Sequence, residues 1–201
     1  AEAEVEYEDK VSPAIDVAFD VADAADLGRR VGAAAAGAAP VSMVIWTTTP
    51  WTLPANEAVT LRADFDYVLV EYLRDGVSRR VILAEGLAND CLARYGAQSS
   101  RELARFKGAV LEGLKLQHPF QPRQVPVILG DHVTLEAGTG AVHTAPAHGQ
   151  DDYIVGTRYG LPVVNPVLGD GRFAAETPLV GGMKLDEAGK LLIATMRGSG
   201  H

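Results

Sequence analysis

Short apolar runs that end at glycine, proline or a turn constrain the fold of this chain more than any other feature. Strand-like runs occupy 14–19, 41–48, 67–73, 79–84, 109–111, 125–129, 132–135 and 140–144. Helical spacing is confined to 21–31, 85–95, 151–159 and 186–196. Asp75-Gly76 predicts a β-hairpin between two of the runs, because both residues favour the positive φ angles of a tight turn. Many short strands with a few helices predict a β-rich α+β fold, with a β-barrel core and peripheral helices.

The size and composition of the chain fit one domain. It has 201 residues, and 47% of them are hydrophobic, which is enough for a substantial core. We predict a single domain over 1–201, with 1–12 and 197–201 as linker or appended ends. The sequence lacks an initiator Met, which favours a domain taken from a longer protein.

The net charge of −8 is concentrated in residues 1–26, which hold nine acids and one base. Acids and bases are equal in number over the rest of the chain, so tight autonomous binding to a nucleic acid is not expected. Cys91 is the single cysteine, which excludes an internal disulfide and a cysteine-based zinc site. No apolar run approaches the roughly 20 residues that span a bilayer. These features predict a cytoplasmic protein without membrane contact.

The first of two polar segments runs from Trp46 to Asn56 at the end of an apolar run. It includes three consecutive threonines, Thr47, Thr48 and Thr49. Successive side chains of a strand point to opposite faces, so at least one hydroxyl faces the interior or a cavity and needs a partner there. The β propensity of threonine explains the run equally well. Pro50 and Pro54 predict an extended, loop-like backbone after the strand.

The second polar segment runs from Gly138 to Tyr153. Asp151 and Asp152 lie in the first turn of a predicted helix, where capping and the helix dipole favour acids for purely structural reasons. The same dipole is expected to keep a carboxylate ionised, and an anion fixed at a pocket mouth binds an ammonium group. Under this interpretation one Asp caps the helix while the other faces a ligand.

Two histidines of the second segment raise the question of a metal. His143 is either a core histidine or the wall of a pocket, and His148 lies five residues further on. A site built from these histidines and the acid pair would lack the helical spacing of a zincin, because Pro146 breaks any helix between them. We therefore predict no metal site.

The two polar segments together resemble the editing domain of isoleucyl-tRNA synthetases. The segment 46–56 matches the threonine-rich stretch of that family, and 138–153 matches its Gly-Thr-Gly-Ala-Val-His-Thr-Ala-Pro stretch and the Asp-Asp-Tyr that follows. The ATP-binding signatures His-x-Gly-His and Lys-Met-Ser-Lys-Ser of the synthetases are missing from the sequence. The resemblance implies an editing module that contains no cofactor and does not aminoacylate, since ATP and Mg²⁺ belong to the synthetic core.

The reaction implied by the resemblance is hydrolysis of the ester of mischarged valyl-tRNA(Ile) by water. One methylene discriminates weakly in a synthetic site, whereas a second pocket can exclude the larger isoleucyl ester by size. The implied partners are the valine moiety, the acceptor end of tRNA(Ile) and the rest of the synthetase, with the domain itself a monomer.

The resemblance also implies roles for individual residues. Asp152 corresponds to the receptor for the substrate α-ammonium, and His143 to the histidine that borders the side-chain pocket. The threonines that bind the aminoacyl end and position water are Thr47, Thr48 and Thr49. Further pocket positions are Trp46, Thr52 and Asn56. The alternative is a non-catalytic module that binds an amino acid or the tRNA acceptor end without hydrolysing the ester.

Overall fold

A computed structural model describes residues 13–32 and 40–200 of the chain, and two sheets dominate it. The strands are β1 (Ile15–Asp20), β2 (Val41–Thr47), β3 (Ala58–Leu61), β4 (Asp66–Arg74), β5 (Val77–Ala84), β6 (Ser99–Lys107), β7 (Lys115–Gln117), β8 (Gln124–Leu129) and β9 (Val142–Thr144). The helices are α1 (Ala24–Val31), α2 (Glu85–Arg94), α3 (Gln150–Arg158) and α4 (Leu185–Ser199). Two 3₁₀ helices cover Pro50–Ala55 and Gly108–Leu111.

The larger sheet has five strands in the order β1-β2-β5-β4-β6, and the smaller sheet has four in the order β7-β8-β3-β9. Strands β2 and β5 pair in parallel, as do β3 and β8, and the other neighbours are antiparallel. One hydrophobic core draws residues from both sheets, with Phe19, Ile45 and Leu69 from the larger and Leu61 and Val127 from the smaller. The fold is therefore a mixed α and β structure whose two sheets share one core.

The predicted β-barrel is wrong, because the described strands form two open sheets. An isolated antiparallel bridge between Val21 and Leu116 links the edges at β1 and β7. The opposite edges do not join, since β6 pairs with β4 alone and β9 pairs with β3 alone among the described strands. Strand β6 carries exposed charged side chains, including Arg101 and Arg105, and such charges are typical of an open sheet edge.

Most predicted elements are confirmed, including the Asp75-Gly76 hairpin, where φ is 52° and 75° respectively. The predicted strands at 109–111 and 132–135 are wrong: the first is a 3₁₀ helix, and the second has no regular structure. Pro50 and Pro54 lie in a 3₁₀ helix instead of the predicted extended loop. Proline suits the first turn of such a helix because it has no N–H that would need an acceptor there. Residues 1–12, predicted as a linker or appended end, lie outside the described part of the chain, as do 33–39 and 201.

The segment Gly138–Gly140 docks at the end of β5 and so fixes where β9 begins. The amide of Ala84 donates to the carbonyl of Thr139 at 2.9 Å, and the Tyr67 hydroxyl donates to the Gly140 carbonyl at 2.6 Å. Gly140 has a φ of 80°, and a Cβ there would lie 2.2 Å from the Cβ of Ala84. Glycine is therefore required by both conformation and space.

Candidate functional site

The two polar segments meet at one cavity of about 280 Å³, which lies between the end of β2 and the start of α3. Its described lining residues are Trp46, Thr47, Thr48, Thr49, Thr52, Val142, His143, Ala145, His148 and Asp152. Seven of the eight predicted site residues thus share a cavity, and Asn56 is the exception. Of the described lining residues, Asp152 alone carries a formal charge at neutral pH.

The threonine run turns away from the sheet at the cavity. Thr47 is buried at the last position of β2, whereas Thr48 and Thr49 are exposed. The Thr49 amide donates to the Thr47 hydroxyl oxygen at 3.0 Å, and the two hydroxyls are 3.4 Å apart. Because the Thr47 oxygen accepts that amide proton, its own proton stays available for a donor bond toward the cavity. The run thus offers hydroxyl groups in a fixed turn.

His143 is held by hydrogen bonds at both ring nitrogens. Its Nε2 lies 2.9 Å from the Thr52 hydroxyl, and its Nδ1 lies 2.7 Å from Asn56 Nδ2. The Thr52 hydroxyl donates its one proton to the Thr49 carbonyl at 2.8 Å, so it accepts from the imidazole. Asn56 Nδ2 also donates to the Ala58 carbonyl at 2.9 Å, which fixes the amide orientation. His143 therefore carries its proton on Nε2 and accepts at Nδ1.

Burial keeps this imidazole uncharged. The pKa of His143 is lowered from 6.5 to about 3, mainly by desolvation and to a smaller extent by the nearby His118 and His148. A second proton would have to sit on Nδ1 and face the N–H of Asn56, which is a repulsive contact. Neither ring nitrogen is free to take a proton from water at neutral pH. His143 is consequently a neutral wall of the cavity.

Asp152 projects from the first turn of α3 toward the cavity. Its Oδ2 accepts from the Ala145 amide at 3.0 Å. A Cβ on Gly149 would lie 3.1 Å from the Asp152 carboxyl carbon, so glycine leaves room for the carboxylate to fold back over the helix start. With Oδ2 bonded to protein, Oδ1 is the oxygen left to receive a ligand.

Burial is the largest influence on the pKa of the Asp152 carboxylate. Burial raises the pKa of Asp152, and this effect outweighs the Ala145 amide and the nearby His132 and His148, which lower it. The neighbouring Asp151 is exposed, and neither carboxylate caps the helix, since the N-cap residue is Gly149 and no side chain bonds there. The half-buried carboxylate of Asp152 gains more from a bound ammonium group than an exposed carboxylate does.

Asn56 lies behind the cavity and does not line it, which corrects its predicted placement. It is fully buried, and its side chain reaches His143 from the rear. The reason is the 3₁₀ helix at Pro50–Ala55, which turns Thr52 and Asn56 toward the same imidazole. Asn56 therefore positions a wall residue.

His148 lines the cavity although the sequence patterns suggested only a metal role for it. It is half-buried and packs edge-on against the Trp51 ring, with ring centroids 5.4 Å apart. Burial lowers the pKa of His148, while the Asp152 carboxylate opposes that change. Within 13–32 and 40–200, no three His, Cys, Asp or Glu side chains converge as ligands for a metal ion. No helix in the same ranges is both long and apolar enough to cross a membrane.

The fold and this cavity agree with the comparison to known families. The family model described as the leucyl-tRNA synthetase editing domain matches residues 83–191, which is more than half of the chain. The chain therefore belongs to the family of aminoacyl-tRNA synthetase editing domains. The matched range contains His143 and Asp152 and stops short of the threonine run, which lies earlier in the chain.

Isoleucine–tRNA ligases are similar to this chain over its whole length. The chain is 61% identical to the isoleucine–tRNA ligase of Thiobacillus denitrificans and 57% identical to that of Nitrosococcus oceani, over 201 residues in each case. It spans 21% of the length of each of these relatives. The resemblance inferred from the two polar segments is thereby confirmed.

Solved editing domains share the fold despite low sequence identity. The editing domain of the P. knowlesi cytosolic leucyl-tRNA synthetase superposes with a TM-score of 0.70 at 11% identity, covering 97% of this chain and 98% of that one. The corresponding P. falciparum domain gives a TM-score of 0.68 at 10% identity, covering 92% and 97%. The two-sheet architecture is thus that of synthetase editing domains.

Proposed function

We propose that this chain hydrolyses the ester of valyl-tRNA(Ile) and rejects the isoleucyl ester. The proposal rests on one cavity of about 280 Å³ that is lined by three kinds of group: a single carboxylate, a cluster of threonine hydroxyls and a neutral imidazole. An α-amino-acid ester needs a receptor for its ammonium group, donors for its ester oxygens and a limited space for its side chain. Each of these is present.

Asp152 binds the α-ammonium group through its free oxygen. Its Oδ2 is held by the Ala145 amide at 3.0 Å, so the carboxylate is oriented before the substrate arrives. Burial raises the pKa of Asp152 because it disfavours the charged carboxylate. A bound ammonium group favours the charged carboxylate and lowers this pKa again, and the ion pair is stronger where little water is present. The ammonium then fixes where the ester carbonyl lies.

The threonine hydroxyls position the ester and the attacking water. The water oxygen bonds to the ester carbonyl carbon, the bond from that carbon to the ribose oxygen breaks, and the ribose oxygen leaves with a proton supplied by the water. The products are valine and tRNA(Ile), and no covalent intermediate with the protein forms. His143 does not act as general base, since its pKa is about 3 and both its nitrogens are bonded. Catalysis rests on positioning.

Selectivity arises at the neutral wall. His143 is fixed by Thr52 and Asn56, so it cannot swing aside for a longer side chain without breaking two hydrogen bonds. Forcing one more methylene against such a wall costs about 1–3 kcal/mol, which corresponds to roughly fivefold to 150-fold in rate. Val142 and Trp46 supply apolar surface at the same cavity.

The wider setting is part of the same proposal. We assign tRNA(Ile) as partner through its acceptor end, the rest of the synthetase as the source of the mischarged ester, and the cytoplasm as the place of action. The domain acts as a monomer without a cofactor, and aminoacylation belongs to another part of the synthetase.

Single-turnover deacylation tests the proposal. The chain is mixed in excess with valyl-tRNA(Ile) or isoleucyl-tRNA(Ile), and acid-precipitable amino acid is followed over time. We expect valyl ester to be lost faster than isoleucyl ester and faster than in a protein-free blank. Loss of both at the blank rate by a folded chain would refute hydrolysis and favour the non-catalytic binding module.

A further inference from the structure

The 3₁₀ helix Pro50–Ala55 packs against α4 and also receives hydrogen bonds from a loop. Both side chains that bond His143 belong to this helix or its end, namely Thr52 and Asn56. The position of the wall residue therefore depends on the position of the helix. The loop that follows β7, residues 118–123, supplies hydrogen bonds to the end of this helix.

Three side chains of the loop donate to three backbone carbonyls of the helix. His118 Nε2 lies 3.1 Å from the Leu53 carbonyl, and Gln121 Nε2 donates to the Pro54 carbonyl at 3.1 Å. Arg123 Nη2 donates to the carbonyl of Asn56. Carbonyls at the end of a short helix lack partners within it, so these donors complete their hydrogen bonding.

Each donor of the loop has only one possible orientation. His118 Nδ1 accepts from the Gln121 amide at 3.1 Å, so the proton must lie on Nε2 and point at the helix. Gln121 Oε1 accepts from Arg123 Nε at 2.6 Å, which turns the amide nitrogen toward Pro54. Arg123 also forms a salt bridge of 3.3 Å with Glu57, the residue that follows Asn56 in the chain.

The loop itself is stiff, which allows it to hold another element. The His118 amide donates to the Arg123 carbonyl at 3.0 Å, and the Gln117 side chain donates to the same carbonyl at 3.0 Å. The His118 ring packs edge-on between Phe19 and Phe120, with centroids 5.9 Å and 4.5 Å away. The His118 ring thus anchors the loop to the hydrophobic core.

We infer that Arg123 is a positioning residue that sets the selectivity of the site: it fixes the carbonyl of Asn56, whose side chain fixes His143. The inference rests on the proposed function for its substrate and adds a determinant outside the cavity. His118 and Gln121 act in the same way on the neighbouring carbonyls. Without the Arg123 donors the end of the 3₁₀ helix can shift. His143 can then move and make room for the larger isoleucyl side chain.

The test compares Arg123→Met with Arg30→Met. Methionine keeps length and apolar bulk but removes every donor. Arg30 is a matched control because it also pairs with an acid and donates to two carbonyls, those of Val110 and Glu112, yet has no contact with the 3₁₀ helix among the described residues. The two arginine side chains are similarly exposed, at 27% for Arg30 and 31% for Arg123. Arg123→Lys, which keeps charge and a donor, serves as the conservative variant.

Two readouts are taken on the 201-residue chain. In deacylation, we expect Arg123→Met to lower the ratio of valyl to isoleucyl rates by about tenfold, because the bond to the Asn56 carbonyl is lost together with those to Gln121 and Glu57. Arg30→Met should keep the ratio even if it loses stability to urea, and Arg123→Lys should recover part of it. In proton NMR, the slowly exchanging Nε2–H of His143 should be seen in the unaltered chain and in Arg30→Met but broadened in Arg123→Met.

The outcomes separate the inference from the function on which it rests. An unchanged ratio and a retained imidazole signal in Arg123→Met would overturn the inference while the deacylase function stands. An equal fall of the ratio in Arg30→Met would also overturn it, because general destabilisation would then explain the effect. If the unaltered chain hydrolyses neither ester, the proposed function fails, and the imidazole signal still decides whether Arg123 positions His143.

Discussion

Acidification should destabilise this fold through two buried histidines that stay neutral when folded. Desolvation lowers the pKa of His143 to about 3 and that of His118 to about 4, from 6.5 in both cases. Above pH 6.5 neither histidine is charged in the folded or the unfolded chain, so their environment costs nothing. As the pH falls below 6.5, these histidines bind protons in the unfolded chain but not in the folded chain. The free energy of unfolding therefore falls until the pH reaches the pKa of the folded state.

The magnitude follows from the size of the shifts. Each pH unit between the unfolded and folded pKa values costs about 1.4 kcal/mol, so each histidine removes about 2 kcal/mol at about pH 5. Together they remove about 4 kcal/mol, a large share of the roughly 5–15 kcal/mol that stabilises a typical domain. Other groups titrate in the same range, and Asp152, whose pKa is raised, acts in the opposite direction.

A variant isolates the contribution of His143. Urea unfolding of the unaltered chain and of His143→Gln is followed by tryptophan fluorescence at about pH 7.5 and about pH 5. We expect His143→Gln to be less stable at the higher pH but to lose about 2 kcal/mol less on acidification, since glutamine does not titrate. His118→Gln should behave alike. If the loss on acidification is the same with and without His143, the imidazole is not held neutral, and its role as an uncharged wall is refuted.

Four further predictions concern the site and its supports. Asp152→Ala should weaken binding of an adenosine that carries valine through an amide by about a hundredfold, whereas Asp151→Ala should be milder; isothermal titration would contradict this assignment if the order were reversed. His143→Ala should raise deacylation of isoleucyl-tRNA(Ile) relative to the valyl ester, and an unchanged ratio would place the size filter elsewhere. Gly140→Ala should destabilise by more than about 2 kcal/mol in urea, because φ is 80° and the new Cβ meets Ala84 at 2.2 Å; an unshifted midpoint would disprove that clash. EDTA should leave deacylation unchanged, and a loss of rate would indicate a metal.

The sequence predicted the site better than the architecture around it. Threonines at a strand end and acids at a helix start are local patterns, and both were located correctly. The closed barrel was not, because closure depends on whether β6 and β9 pair, and no local pattern specifies that contact. Strand β6 is rich in charged residues and lacks a clear alternation of apolar and polar side chains, so its sequence does not predict a strand.

The contacts that hold His143 in place also could not be predicted from sequence patterns. His118 stands next to a proline in what the sequence presents as a loop, and its partners lie 65 positions away at Leu53. Asn56 looked like a pocket residue because it belongs to the motif, but a 3₁₀ helix turns it behind His143. Likewise, the burial that raises the pKa of Asp152 could not be predicted, since desolvation depends on packing that only the folded chain provides.

Asp152 is proposed above to bind the α-ammonium group of an ester in this cavity. The direct measurement compares valyl-tRNA(Ile) with the same tRNA carrying the 2-hydroxy acid of equal shape, for the unaltered chain and for Asp152→Ala. With each rate divided by that of the same ester without protein, we predict that the unaltered chain accelerates the amino ester about a hundredfold more than the hydroxy ester and that Asp152→Ala accelerates both equally little. Equal accelerations of both esters by the unaltered chain, or an equal loss for both in Asp152→Ala, would contradict the assignment of Asp152.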